Sequence, residues 1–123
     1  MKLAIRSVGV WGHPNIRKWT PENPEVMAEV VFVDIGPRAG GKGEAKKADT
    51  FTIRVATPAG LDALESRNGI LAIRPLLVMR RYDFNNLFGW LEQTVASCEA
   101  DSWMACVEKL RLYFDWEYDG MKR

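Results

Sequence analysis

Asp115, Glu117 and Asp119 alternate in FDWEYDG, residues 114–120, and run into Gly120. Alternating carboxylates followed by glycine are how a calcium-binding EF-hand loop begins. That loop also needs a bidentate glutamate at its twelfth position, carried by a second helix. Counted from Asp115, the position lies past Arg123. The acids also follow a helical stretch, and carboxylates oppose the dipole at a helix C-terminus. The expectation is a surface role for these acids rather than a calcium site.

Other chemistry-bearing residues are equally short of a complete constellation. GPRAGGKG, Gly36–Gly43, matches the G-x-x-x-x-G-K of a phosphate-binding loop. Gly43 stands where Ser or Thr must hold magnesium, and a strand follows instead of a long helix, so a flexible hairpin link is expected. His13 is the one histidine, and it precedes Pro14 with no acid or thiol near it in sequence. Cys98 and Cys106 fall on apolar helix faces, where a reduced thiol acts as a small apolar residue. Ser7, Ser66, Ser97 and Ser102 lack a nucleophile-elbow context. Zinc needs more His and Cys than are available. Neither a catalytic group, a metal nor a cofactor is expected. A carboxylate-only or metal-dependent enzyme or regulator built on the C-terminal acids is the alternative reading.

The elements that position these residues follow from periodicity and punctuation. Residues 2–8 alternate as a short edge strand, and WGHPNIRKWTPENPE reads as an irregular loop. Val26–Ile35 is a β-branched run too apolar for solvent on both faces, which predicts a buried central strand. The segment Gly36–Asp49, rich in glycine and lysine, cannot be core. Thr50–Thr57 has a period of two, with Phe51, Ile53 and Val55 on one face, and predicts an antiparallel hairpin with the preceding strand. Thr57-Pro58 starts a helix with Leu61 and Leu64 inward and Asn68-Gly69 as its stop. Arg74–Tyr82 predicts a strand opened by Pro75. Asp83 caps a helix with the stripe Phe84, Leu87, Phe88, Leu91, Val95, Cys98. Asp101 caps another, with Trp103, Cys106, Val107, Leu110 and Phe114 inward. The order predicts one α+β domain over residues 1–123: an antiparallel sheet of about four strands with helices mainly on one face.

Charge narrows the partner. The net charge of +1 gives no general attraction to nucleic acid or anionic lipid. Arg38, Lys42, Lys46 and Lys47 cluster in one loop without an aromatic ladder, so nucleic-acid binding is not expected. No stretch approaches the about 20 apolar residues of a membrane helix, and the expectation is a cytosolic protein. Residues 86–119, however, hold seven acids against two bases, a local net of −5 in a chain whose remainder is +6. Such a block suits a basic protein partner, with Trp11, Trp19, Trp90 and Tyr118 as candidate anchors.

Five pieces in order carry a family resemblance: the apolar strand ending Asp34-Ile35-Gly36, FTIRVATPAGL at 51–61, LVMRRYD at 77–83, Trp103, and the closing FDWEYDG with Trp116-Glu117 at the position of a Trp-Glu signature. Spanning about 26–119, they resemble the immunity protein 8 family of bacterial polymorphic-toxin and contact-dependent growth-inhibition systems. The resemblance implies a small cytosolic α+β protein that binds the C-terminal domain of one cognate toxin and blocks it. Such toxins are commonly nucleases with basic substrate surfaces, which agrees with the acidic block. Glu99, Asp101, Glu108, Asp115, Glu117 and Asp119 are the candidate contact residues. Trp116 is expected to pack beneath them, and Glu117 is equally suited to an internal hydrogen bond.

Overall fold

The computed structural model describes residues 1–38, 47–64 and 69–120. The Gly-Lys part of the phosphate-loop match (residues 39–46) and Asn68 lie outside those residues. The β-branched run forms β2 (Ala28–Pro37), and the period-two segment forms β3 (Asp49–Ala56). They pair antiparallel over eight positions, from Ala28↔Ala56 to Ile35↔Asp49. β1 (Leu3–Val10) adds antiparallel to the other edge of β2, with an irregularity between Ile5 and Ser7.

The far edge of β3 takes two short strands. β4 (Leu76–Val78) pairs in parallel with Arg54–Ala56, and β5 (Asp115–Trp116) pairs antiparallel with Phe51–Thr52. The nine-residue strand expected at Arg74–Tyr82 is therefore only three residues long, because β5 occupies the β3 edge on one side of it and β3 itself ends at Ala56 on the other. Among the described residues the result is a five-stranded, largely antiparallel sheet in an α+β fold.

Helices α2 (Phe84–Ser97) and α3 (Trp103–Leu110) lie on one face of it. Leu87, Leu91, Val95 and Cys98 of the α2 stripe and Cys106, Val107 and Leu110 of α3 are buried with Val31, Val33, Ile35, Phe51, Ile53 and Val55 in one core. Phe114, just past α3, closes it with its ring edge-on to Phe51 and Trp90. Asp83 caps α2 as expected, accepting from the Asn86 N–H. The cap of α3 is Ser102 rather than Asp101. Its hydroxyl accepts from the Ala105 N–H, leaving Asp101 exposed one residue outside the helix.

α1 (Pro58–Ala63) is shorter than expected, and Leu61 and Leu64 are only half-buried. What fixes it is Thr57, fully buried, whose Oγ1 accepts from the N–H groups of both Gly60 and Met27. A Cβ on Gly60 would lie 1.9 Å from the Met27 carbonyl oxygen, so only glycine lets α1 approach the start of β2 this closely. At the other end of β2, Gly36 and Pro37 are buried strand residues rather than part of the solvated link.

Candidate functional site

Among the described residues no helix covers the second face of the sheet. Its rows follow from register: Ser7, Asp34 and Thr50 are successive partners across β1, β2 and β3, and Gly9, Phe32, Thr52 and Asp115 form the next row. Val30, Arg54 and Leu76 form a third. Val30, Phe32 and Asp34 are each half-exposed, so the run expected to be buried on both sides is fully buried on one. Arg74 stands with Arg54 and Asp115 in a cleft at the β4–β5 side. The face is thus graded: Asp34 and the Phe32 ring near β1 and β2, and Asp115 among arginines near β4 and β5.

The structure scatters the six tail acids over more than one surface. Asp115 lies in β5 on the uncovered face, exposed, with no base within ion-pair distance among the described residues. Glu117 closes the same strand pair: its N–H donates to the Thr50 carbonyl (3.0 Å), and its carboxylate accepts the Thr50 N–H (2.9 Å). Asp119 accepts from the Trp116 N–H and meets Arg111 Nε at 2.7 Å. Arg111 also lies 3.7 Å from the exposed Glu108. Asp101 is exposed near Glu99, which sits at the opposite sheet edge against β1, the full width of β2 and β3 away from Asp115. Three of these six acids, Glu99, Glu108 and Asp119, are thus paired with this chain's own bases.

Glu99 has a structural task. Its carboxylate accepts the Leu3 N–H at 2.8 Å and pairs with Lys2 at 3.5 Å, tying the first strand to the end of α2. The Leu3 hydrogen bond, helped by the positive charges of Lys2 and Arg38, holds its pKa below the ordinary carboxylate value against a partial burial that raises it. A lowered folded pKa stabilises above the unfolded value of about 4.3 and ceases to do so as pH falls through the folded one. Glu99→Gln should therefore lower the melting temperature at pH 7, and its difference from wild type should shrink steadily in melts below about pH 4.3. A pH-independent difference would mean that the carboxylate charge is not what holds β1.

Of the expected aromatic anchors, Trp19 packs edge-on against Tyr82, Trp90 against Phe114 and Tyr118 against Trp116. Trp116 itself is half-buried and donates its indole N–H to Asp49. Trp11 differs, being 84% exposed. It lines a cleft of about 460 Å³ with His13, Phe32 and Asp34. Sequence reasoning missed Asp34 as a site residue, although its polar side chain in an otherwise apolar run (VVFVDI) was the signal that could have found it.

Among the described residues no three His, Cys, Asp or Glu side chains come together as metal ligands, and no helix is long and apolar enough to cross a membrane. Cys98 and Cys106 are buried free thiols, and burial pushes the Cys98 thiol up, away from the reactive thiolate. No curated protein and no solved structure gives a significant match. The family model described as immunity protein 8 matches residues 3–120. The match starts with β1 and so takes in the Trp11 turn, which lies before the segment that carried the resemblance in sequence. On that coverage, the chain belongs to the immunity protein 8 family.

Proposed function

We propose that this protein binds the C-terminal domain of one cognate toxin, a basic nuclease, and blocks it as a tight cytoplasmic complex without a catalytic step of its own. Family membership supports a toxin partner. The observation that carries the finer reading is the pairing of β5 with β3, which puts the unpaired Asp115 on the same sheet face as Asp34, across the width of β3, a face that no helix covers among the described residues. A face with fixed carboxylates and half-exposed apolar side chains suits a basic protein surface: charge speeds the encounter, and aromatic burial slows release.

All six tail acids contribute to the field in this reading. Asp101, Glu108 and Asp115 are the direct contacts, because Glu99, Glu117 and Asp119 accept hydrogen bonds within the chain, whereas the exposed Glu108 meets only Arg111, at 3.7 Å. Co-expression with the cognate toxin domain, which this reading expects to be encoded immediately upstream, is the decisive experiment, and a host that dies despite making this protein refutes the reading. Binding kinetics refine it. Reversing Glu108 and Asp115 to Lys should slow association on the order of tenfold at low salt and flatten its salt dependence. The melting temperature should barely move, since both side chains are exposed. An unchanged dissociation constant would place the interface elsewhere.

A further inference from the structure

We infer that the cleft beneath Trp11 is a receptor for one cationic side chain, arginine or lysine, of the protein partner. The inference rests on the binding role proposed above and goes beyond it by naming the contact.

Four of the five tryptophans pack against another aromatic ring of this chain: Trp19 on Tyr82, Trp90 on Phe114, Trp103 on Phe51 and Trp116 on Tyr118. Trp11 has no such ring partner among the described residues and stands 84% exposed. The turn that carries it is nevertheless closed. Val10 and His13 exchange both backbone hydrogen bonds, at 3.0 and 2.9 Å, and Gly12 between them has φ of +80°. The turn also folds back over the sheet: a Cβ on Gly9 would come within 2.7 Å of the His13 carbonyl oxygen. An indole held out on a fixed turn loses little further backbone entropy when a partner covers it.

The cleft below the indole has a definite chemistry. Phe32 supplies an apolar wall, and Asp34 sits among the lining residues. Two hydroxyls from the flanking strands hold that carboxylate: Ser7 Oγ donates to one oxygen and Thr50 Oγ1 to the other, each at 2.7 Å. Each oxygen keeps a lone pair for a further donor. No Lys or Arg lies within ion-pair distance of Asp34 among the described residues, and the cleft lining contains none. An aromatic face, an apolar wall and one fixed, unpaired carboxylate complement an alkyl stem ending in a cation. A phosphate or an acidic peptide meets a carboxylate there and no Lys or Arg, with His13 the one imidazole of the lining. The volume of about 460 Å³ admits such a side chain with its flanking backbone.

The test is calorimetric titration of the full-length protein with the catalytically inactivated toxin domain, using Trp11→Ala, Trp11→Phe and Asp34→Asn, each checked for native circular dichroism. Trp11→Ala and Asp34→Asn are each expected to weaken binding at least tenfold, with Trp11→Phe in between. Changes below twofold for both overturn the inference while leaving the immunity reading intact. If wild type does not bind the toxin at all, the immunity reading fails and the cleft is judged by NMR titration with N-acetyl-arginine amide against N-acetyl-norleucine amide. Saturable shifts at the Trp11 indole and the Phe32 and Asp34 amides with arginine alone support the receptor; no shift, or equal shifts with norleucine, overturns it. Concentration-dependent self-association abolished by Trp11→Ala also overturns it, because a second copy would then be the occupant.

Discussion

Phe114→Ala is expected to destabilise the protein by about 3–5 kcal/mol, the cost of removing a buried aromatic ring that its surroundings cannot collapse to replace. Phe114 is 2% exposed and meets Phe51 and Trp90 edge-on, at centroid distances of 6.3 and 6.2 Å. Such pairs add to the area term, so the upper half of the range is the better expectation. The substitution should also reach the candidate site. Phe114 immediately precedes β5, a strand of two residues that is otherwise held by the β3 edge, the Thr50–Glu117 contacts and the hydrogen bonds of Trp116 to Asp49 and Asp119. Urea denaturation should show a lower midpoint with an unchanged slope. Hydrogen exchange at the Thr50 amide should accelerate by more than the global loss accounts for. An exchange rate that follows global stability alone would show that β5 docks without its phenylalanine.

Thr57→Val is expected to cost about 2–4 kcal/mol despite near-identical shape. Thr57 is fully buried, and its hydroxyl oxygen accepts from the Met27 N–H at 3.1 Å and the Gly60 N–H at 3.0 Å. Valine leaves two buried donors unsatisfied, each costing about 1–3 kcal/mol, partly relieved by small movements of α1. It also removes the N-cap of a helix too short to be stable by itself. Thr57→Ser keeps the oxygen and should lose far less, which separates hydrogen bonding from packing. A serine variant that loses more than the valine variant, compared by thermal melts, would assign the effect to the methyl group.

Much of this fold is legible in the chain because it depends on neighbours in sequence. The period of two in FTIRVAT puts Phe51, Ile53 and Val55 on the core side, and the structure buries all three. Thr57 and Asp83 are caps in both readings, because a capping hydroxyl or carboxylate reaches an N–H only three residues ahead. Where two good caps adjoin, as in Asp101-Ser102, local chemistry does not choose. The register of α3 against the core selects Ser102. Arg74–Tyr82 has the composition of a long strand, but a strand is only as long as the partner edge left open to it. The β3 edge left Leu76–Val78 three positions.

The candidate site was less legible for the same reason. Composition showed that the tail is acidic, not which acids are free. Glu99 is bound to Leu3 and Lys2, and Asp119 to Arg111, through contacts that charge counting cannot see. Trp11 read as one of several plausible anchors until the packing of the other tryptophans set it apart. Asp34 and Asp115 share a sheet face only because β2 and β5 both pair with β3 in one register.

By itself, then, the amino-acid order determined the strands flanking the Gly-rich link, the caps of α1 and α2, the apolar stripes that form the core, and an acidic C-terminal block. Those properties rest on spacings of two to four residues, which backbone geometry converts directly into shared faces. Only the tertiary structure decided which carboxylates remain unpaired and which face stays uncovered. Such outcomes turn on separations of a few ångströms between residues as remote as Thr50 and Glu117, and no local spacing encodes them.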